Sequence, residues 1–312
     1  MIVRIQDDMK RALNFGTAPK RIVSLVPSDT YSLAVLGCAG ALVGRTDYCE
    51  LPADVVATLP SVGGTKNPKV DAICDLSPDL VIANQEENTK GDLEALANRG
   101  VRVFIAFPKR AADGLAHLAR LARILRVEGD PAVRELLKRG YEVIREAEQA
   151  RAALVPLRTF CPIWMDPLMT IHGDTFISDI LDLAGAQNVF VDRQRRYPLA
   201  ADLGKAEPLS AQKTEGRDKR YPRVTLDEVT ARAPELVLLP DEPHPFSEED
   251  ANVFRALAIP AATRGAVVRT GGKDLCWYGA QTIEGLPRLR ALVERFRGGL
   301  RPSLREPPRD AT

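Results

Sequence analysis

One segment of this chain occurs twice. Residues 69–82 read KVDAICDLSPDLVI, and residues 225–238 read TLDEVTARAPELVL. Asp71 and Asp227 take the same place in the two copies, 156 positions apart (227 − 71), and the proline and apolar run that follow keep this spacing. Repetition at a fixed spacing is typical of duplicated structural units. The sequence therefore predicts two lobes of like topology.

A second pair of segments lies upstream of the first. DTYSLAVLGCAGA (29–41) matches DTFISDILDLAGA (174–186), with Thr30 and Thr175 separated by 145 positions (175 − 30). The second copy therefore carries about 11 extra residues (156 − 145) between positions 186 and 225. The polar stretch LAADLGKAEPLSAQKTEGRDKR in this interval predicts an inserted surface loop.

Each copy has the same order of elements. A β-rich run, RIVSLVP or RTFCPIW, leads to an Asp-Thr pair that can cap the next helix, and a Gly-Ala pair is expected to end that helix. A short helix and an unbroken apolar strand, LVIA or LVLL, come next. Apolar strands that alternate with helices are typical of a parallel sheet covered on both faces. The predicted fold class is α/β, with two Rossmann-like lobes around central parallel sheets.

One long helix is predicted between the two copies. In EGDPAVRELLKRGYEVIREAEQARAAL, Asp130 can cap the helix, Pro131 takes its first position, and apolar residues recur at helical spacing. The stripe predicts a helix of about 24 residues, roughly 36 Å long. Gly140 inside it has no explanation in the sequence. Two lobes joined by one stiff backbone helix predict a ligand cleft between the lobes.

Composition and motifs argue against several classes of protein. The 43 Lys and Arg residues nearly balance the 42 Asp and Glu residues, so no bulk charge favours nucleic acid. An apolar run of about 18 residues, which a membrane helix needs, is absent from the sequence. The five cysteines are odd in number and lack CxxC spacing, which predicts buried free thiols. Without GxSxG or HExxH, and with three scattered histidines, the chain is not expected to be an enzyme.

These segments together resemble the class III solute-binding proteins, the Fe/B12 periplasmic-binding family of vitamin B12, haem and siderophore receptors of ABC importers. RIVSLVPSDT, VGGTKNPKVDAICDLSPDLVIAN, the long helix, NVF, YPRVTLDEV and CWYG occur in family order over about 21–297, and MIVRIQDDMKRALNF resembles the family's leading hairpin. The resemblance implies the following organisation: an N-terminal β-hairpin at 1–20, an α/β lobe at 21–127, the backbone helix at 128–155, a second α/β lobe at 156–297 and a polar tail at 298–312.

The resemblance also implies a function. It indicates a monomeric binding protein that captures a metal chelate and delivers it to the permease of an ABC importer. Cobalamin or another corrinoid is the expected ligand, haem or a ferric siderophore the alternative, and no catalytic cofactor is expected. The family is periplasmic or extracytoplasmic. The start of this chain lacks the cationic and apolar regions of a signal peptide, so as written it is expected to be cytoplasmic. A cytoplasmic protein that stores, senses or hands over the cofactor is therefore an alternative.

One acidic residue in each lobe is implied to dock on the permease. These residues map to Asp71 and Asp227, where the family usually carries Glu. An acid in the first turn of a helix also meets the helix's positive end favourably, whatever its other role. Thr225 and Glu228 form the T-x-x-E pattern of a capping box, which leaves Asp227 without a capping duty.

The candidate ligand contacts lie in loops expected at the carboxyl ends of the strands, where doubly wound proteins bind ligands. These loops are rich in aromatic rings, Met and amides, which suit a flat macrocycle fringed with amides. The resemblance places cleft aromatics at Tyr48, Trp277 and Tyr278, and Trp164 lies in the matching loop of the second lobe. The predicted ligand-binding residues are Ser28, Tyr48, Gly64, Thr65, Asn84, Trp164, Arg196, His244, Trp277 and Tyr278.

Two histidines are candidate metal ligands. His244, in DEPHPF after an apolar strand, and His172 each offer an imidazole that can serve as axial ligand to haem iron or cobalt. His117, within the helical pattern AHLARLARIL, is predicted to be structural. The GGTK sequence beginning at Gly63 fits neither glycine-rich phosphate-binding pattern, so a turn is predicted there.

Overall fold

The computed structural model describes residues 2–297, which form two compact units. The first unit comprises the chain through Gln149 together with Lys273–Pro287. The second comprises Ala150–Gly272 and the described residues from Arg288 onward. Residues 273–287, which the sequence places in the second lobe, thus belong to the first unit. The predicted polar tail at 298–312 lies outside the described residues.

The first unit contains a hairpin and a parallel sheet. Its strands are β1 (Val3–Gln6), β2 (Ala12–Phe15), β3 (Ile22–Ser24), β4 (Leu42–Arg45), β5 (Leu80–Asn84) and β6 (Val103–Ala106). β1 and β2 pair antiparallel, as the family resemblance implies for the start of the chain. The other four strands are parallel, in the order β4-β3-β5-β6. β5 and β6 are buried along their whole length because the sheet is covered on both faces.

The helices of this part of the chain are α1 (Pro27–Val35), α2 (Ala53–Val56), α3 (Val70–Asp75), α4 (Lys90–Asn98), α5 (Ala111–Leu125) and α6 (Pro131–Ala152). α6 is the predicted long helix and has 22 residues. Asp130 caps it by accepting a hydrogen bond from the backbone N–H of Ala132 at 2.8 Å. A Cβ at Gly140 would lie 2.9 Å from both methyl carbons of the buried Leu115. Close packing against α5 therefore explains the glycine.

The second unit repeats this architecture. Its strands are β7 (Leu157–Phe160), β8 (Pro162–Trp164), β9 (Met169–Thr170), β10 (Ala186–Asn188), β11 (Leu236–Pro240) and β12 (Val267–Thr270). Its helices are α7 (Phe176–Leu183), α8 (Leu199–Asp202), α9 (Leu226–Arg232), α10 (Glu248–Arg255) and α11 (Pro260–Thr263). β8 and β9 form a small antiparallel pair, and the parallel sheet has the order β10-β7-β11-β12.

The two parallel sheets have the same topology. In each, the second strand lies at one edge, followed by the first, third and fourth strands of that sheet in chain order. The predicted α/β fold with two like lobes is therefore confirmed. The chain ends its described course with α12 (Lys273–Cys276), in the first unit, and α13 (Ala280–Arg297), which begins in the first unit and ends in the second.

The predicted boundaries of the first helix in each repeat can be compared with α1 and α7, and only those of α1 differ from the prediction. Thr175 caps α7 through its side-chain oxygen, as predicted. In the first copy, α1 begins at Pro27, because the fixed φ of proline suits a first helical turn. Asp29 consequently lies inside α1 instead of capping it. α1 ends ahead of Gly37, which takes a φ of 73° that glycine adopts readily, and not at the predicted Gly40.

Two composition-based expectations can be compared with the structure. None of the described helices combines the length and apolar character needed to cross a membrane. All five cysteines are free thiols, and Cys49 and Cys161 are buried as predicted, whereas the other three are half-buried. Burial raises the pKa of the Cys161 thiol to about 12.

Candidate functional site

In the first parallel sheet, the chain adds β4 on one side of β3 and then β5 on the other side. Several predicted residues lie at the carboxyl ends of β3 and β5. Tyr278 donates a hydrogen bond to Asp29 Oδ2 at 2.8 Å and accepts one from Asn84 Nδ2 at 3.3 Å. The His117 Nε2 atom lies 2.7 Å from Asp29 Oδ1. All four side chains are buried, so they form a closed polar network inside the first unit.

Several side chains that were predicted to bind the ligand are instead hydrogen-bonded to other groups of the protein. Asn84 Oδ1 accepts the backbone N–H of Glu86 at 2.7 Å, which fixes the loop after β5. Ser28 is 3% exposed and hydrogen-bonds the Tyr278 hydroxyl. Burial, followed by the negative charge of Asp29, raises the pKa of Tyr278 well above its ordinary value. Asn84, Ser28 and Tyr278 therefore hold the edge of the sheet together, and Asp29 is a central residue that the sequence indicated only as a cap.

Trp277 also lies in a packed environment. Its side chain is 5% exposed, with its ring centroid 6.1 Å from that of Tyr31. Lys273 Nζ lies 5.3 Å from the same ring and pairs with Glu50 at 3.1 Å. The indole thus packs α12 against α1 within the first unit.

Tyr48 is the exposed aromatic residue of the first unit's predicted set. It follows β4 and is 63% exposed. Gly64 lies beside it, since a Cβ there would be 3.4 Å from Tyr48 Cε2. Gly63, at a φ of 95°, forms the predicted bend, and the carbonyl of the buried Thr65 accepts a hydrogen bond from Asn88 Nδ2 at 2.9 Å. The bend therefore leaves the Tyr48 ring open on a rigid loop.

The second unit presents an aromatic group at the corresponding edge of its sheet. Trp164 ends β8, is 42% exposed, and donates its indole N–H to the carbonyl of Asp166 at 3.0 Å. The ring centroid of His244 lies 5.2 Å from that of Trp164 and 4.6 Å from that of Phe246. The sequence singled out Trp164 and His244 but missed Phe246, whose buried ring makes a T-shaped contact with the histidine.

The two predicted metal ligands differ in their surroundings. His172 accepts the backbone N–H of Asp174 at its Nδ1 atom, at 3.0 Å, which is a local structural bond. His244 Nε2 lies 3.6 Å from Asp250 Oδ2, and the side chain is partly exposed. Within residues 2–297, no cluster of three or more His, Cys, Asp or Glu side chains is arranged to hold a metal ion. His244 is therefore the better placed of the two to meet a ligand.

Asp71 and Asp227 occupy equivalent positions, as the repeat predicts. They lie in the first turns of α3 and α9, the helices that precede β5 and β11. Asp71 is 84% exposed at its side chain and pairs with Arg99, and Asp227 is exposed. Thr225 caps α9 as predicted, although the carboxylate of Glu228 is engaged elsewhere in the second unit.

Arg196, the remaining predicted contact, lies apart from the aromatic group. It is exposed and lines a cavity formed within the second unit by the inserted segment. Its backbone N–H donates to the buried carboxylate of Asp202 at 2.8 Å. The structure thus brings the predicted residues Trp164 and His244 together and places Arg196 at a separate cavity.

Solved structures of similar fold include a vitamin B12-binding protein and a haem-binding protein. The periplasmic vitamin B12-binding protein BtuF of Vibrio cholerae superposes with a TM-score of 0.71 at 17% identity, over 90% of this chain and 99% of its own. The periplasmic haem-binding protein RhuT from Roseiflexus sp. RS-1 gives a TM-score of 0.70 at 17% identity, over 90% and 100%. At these identities the comparison establishes the fold alone.

Sequence relatives are closer. Vitamin B12-binding proteins of Pectobacterium atrosepticum and Yersinia pestis are each 29% identical to this chain, over 183 and 182 residues. The matches cover 58% of this chain and 65% and 64% of the relatives, so the chain spans somewhat less than two-thirds of their length. The model of the periplasmic binding protein family matches residues 22–239, from β3 to β11. Because this match extends over more than half of the sequence and includes both repeats, the chain belongs to the periplasmic binding protein family.

Proposed function

We propose that this protein is a solute-binding protein for a metal chelate of the vitamin B12 or haem type, with cobalamin or another corrinoid as the first candidate. The carrying observation is the pairing of the exposed Trp164, in β8, with the partly exposed His244, which follows β11; their ring centroids are 5.2 Å apart. An aromatic face suits a flat macrocycle, and a neighbouring imidazole suits its metal. The relatives named as vitamin B12-binding proteins support the choice of corrinoid.

Tyr48 supplies a comparable surface in the first unit. Its ring is exposed on a loop that is fixed by the bend at Gly63 and Gly64. We assign the contacts with the chelate to Tyr48, Trp164 and His244, because their rings are accessible. Ser28, Asn84, Thr65, Trp277 and Tyr278 are assigned instead to support of the loops. That the chelate lies between the two units stays a prediction, as does a monomeric state.

The periplasmic family does not support the cytoplasmic location expected from the start of the sequence. Delivery of the chelate to an ABC importer fits this family better than storage or sensing in the cytoplasm. Relatives with names such as vitamin B12-binding protein also agree with a binding role and not a catalytic one.

The aromatic contacts can be tested by titration. We expect Trp164→Ala and Tyr48→Ala each to weaken cobalamin binding about tenfold, which corresponds to roughly 1.4 kcal/mol, since each removes an exposed ring from the ligand surface. Tyr141→Ala is the matched control, because Tyr141 is 48% exposed but lies on α6. Isothermal titration calorimetry gives the affinity, and the visible absorption spectrum of the bound chelate in His244→Ala reports axial ligation.

The choice of ligand has its own contrary outcome. If cobalamin gives no heat while haemin or a ferric siderophore binds tightly, the corrinoid assignment is wrong. If none of these chelates binds, the proposed function itself is wrong. An equal loss of affinity in Tyr141→Ala would show that the aromatic substitutions act through the fold and not through contact with the ligand.

We further propose that Asp71 and Asp227 dock the protein on its permease. Both lie at matching helix starts, so one acid is contributed by each unit. Exposed charges contribute little individually, but several together orient a complex and speed its formation. Asp71→Ala with Asp227→Ala is expected to leave cobalamin affinity unchanged and to weaken association with a permease severalfold, more strongly at low salt.

Docking is measured as binding to proteoliposomes that contain a vitamin B12 ABC importer, at two salt concentrations. Asp75→Ala with Glu207→Ala removes the same charge from exposed acids outside the first turns of helices. Equal weakening in this control would attribute the effect to net charge. Loss of cobalamin affinity in the Asp71 and Asp227 variant would instead assign these acids to the ligand site or the fold.

A further inference from the structure

The segment that distinguishes the second repeat from the first encloses a cavity. The segment follows β10, includes α8, and rejoins the repeat before α9. The cavity has a volume of about 480 Å³ and is lined wholly by residues of the second unit. Five of the lining side chains are cationic and two are carboxylates. An excess of three positive charges (five minus two) in a small concave space requires an explanation.

Both carboxylates of the lining are already bound to arginine. Glu228 Oε1 lies 2.8 Å from Arg193 Nε, and Asp192 pairs with Arg232. Arg193 also reaches the fully buried Asp202, with 3.0 Å between Nη1 and Oδ1. These pairs neutralise Arg193 and Arg232, so the excess charge resides in the other cations of the lining.

The three remaining cations are Arg195, Arg196 and Lys219. In the part of the chain that the structure describes, none of their side chains is paired with a carboxylate. Their backbones are nevertheless fixed, because the Arg195 N–H donates to the Lys219 carbonyl at 2.8 Å and the Arg196 N–H donates to Asp202. The Arg195 guanidinium lies 4.5 Å from the centroid of the Tyr197 ring, which also lines the cavity. The backbones of Arg195 and Arg196 are thus fixed, and all three cations line a common space.

The charge of Asp218 interacts with that of Arg195, but the Asp218 carboxylate is bound to another arginine. Asp218 is the nearest further acid in sequence, and both of its carboxylate oxygens accept hydrogen bonds from Arg220, at 2.9 and 2.6 Å. Burial lowers the pKa of Arg223, and the positive charge of Arg195 lowers it further, although Asp202 opposes both. Arg223 thus lies close enough to Arg195 for their like charges to repel each other.

We infer that this cavity is a binding site for a small polyanion with phosphate or carboxylate groups, held by Arg195, Arg196 and Lys219. Guanidinium groups offer paired donors that match the oxygens of a phosphate or carboxylate, and an ammonium adds a point charge. The volume admits a molecule of several heavy atoms. Arg196, predicted as a contact of the chelate, is assigned to this site instead. The inference does not rest on the proposed chelate.

Calorimetry with two separate anions tests the site. Pyrophosphate and citrate are titrated in turn into the full chain, in a low-salt buffer free of phosphate, to tell phosphate from carboxylate ligands. We expect one of them to bind at one per chain, and Arg195→Gln with Arg196→Gln to weaken it about tenfold or more, because charged hydrogen bonds are lost. Lys219→Gln is also expected to weaken the binding of the same anion. Lys205→Gln is the control, since Lys205 is an exposed cation of the same segment outside the cavity.

Three results would overturn the inference. They are the absence of binding by both anions, equal affinity in the double variant and the unaltered protein, and equal weakening in Lys205→Gln, which would indicate attraction to net charge alone. Thermal melting of each variant verifies folding. These outcomes are separate from the proposed function, which depends on cobalamin binding and on variants of Trp164 and Tyr48.

Discussion

Replacing Asp29 with alanine is expected to lower the free energy of unfolding of the first unit by about 3–5 kcal/mol. The Asp29 carboxylate is fully buried and receives the Tyr278 hydroxyl at 2.8 Å, with the His117 ring nitrogen at 2.7 Å. Its removal leaves two buried polar groups without their partner, and each unsatisfied group costs about 1–3 kcal/mol. The substitution also opens a cavity between α1 and α5, because all three residues are packed together.

Urea unfolding measures the change, and the two tryptophans allow each unit to be followed separately. Trp277 belongs to the first unit and Trp164 to the second, so a Trp164→Phe background leaves a reporter for the first unit alone. Asp75→Ala removes an exposed acid of the same unit and is expected to change stability by less than about 0.5 kcal/mol. A loss in Asp29→Ala no larger than in this control would contradict the importance of the network.

The same network carries a pH dependence. Burial, with the charge of Asp29 next, raises the pKa of Tyr278 well above its ordinary value. The folded protein therefore keeps this proton at an alkaline pH at which an unfolded tyrosine would lose it. The stability that Tyr278 contributes is complete below the ordinary tyrosine pKa and is lost as the pH rises toward the raised value. Tyr278→Phe, used as a companion variant, should reduce this alkaline loss.

The fold could be predicted from the sequence because its signals are periodic and local. The recurrence of Asp71 and Asp227 reported a duplication, and unbroken apolar strands reported parallel sheets. The boundaries of α1 could not be predicted from the Asp-Thr pattern, because Pro27 competes with Asp29 for the start of the helix. A proline that suits the first turn outweighs an acid two positions later.

The sequence could predict candidate ligand contacts only for side chains that turn out to be accessible on their loops. Trp164 lies in β8, shortly after β7, and His244 follows β11. Because β7 and β11 are neighbours in the parallel sheet, the topology brings the two residues together. Tyr278 contacts Asp29 across 249 positions, and nothing in CWYG indicates that its hydroxyl is buried there. A short motif specifies an aromatic side chain, but long-range packing decides whether a ligand can reach it.

For the charged residues of the inserted segment, too, the sequence alone could not predict the contacts of each side chain. Repeat spacing located the extra residues, yet composition could not tell paired from unpaired cations among them. Arg193 and Arg195 are two positions apart, but only Arg193 is neutralised by buried or partly buried carboxylates. The difference depends on which side chains α8 and α9 bring close to each arginine, and this is a property of tertiary structure.

Arg193→Ala is expected to destabilise the second unit by about 3–5 kcal/mol, because it leaves the buried carboxylate of Asp202 without a counter-charge. Arg193 is 6% exposed and joins Asp202, the last residue of α8, to Glu228 at the start of α9. It also donates to the Asp202 carbonyl at 2.7 Å. This guanidinium therefore joins the inserted segment to the repeated fold, and Arg193→Lys should recover only part of the loss, since an ammonium cannot reach all of these acceptors at once.

The matched control is Arg255→Ala, because Arg255 pairs with Glu248 on the surface of the same unit and is 40% exposed at its side chain. Exposed pairs contribute about 0–1 kcal/mol, so this variant should unfold close to the unaltered protein. Fluorescence of Trp164 in a Trp277→Phe background follows the second unit during urea unfolding. Equal destabilisation by Arg193→Ala and Arg255→Ala would mean that water reaches Asp202 once the arginine is gone. In that case the segment around the cavity would be held by backbone bonds, such as those that Arg196 and Arg223 donate to Asp202 at 2.8 and 2.7 Å.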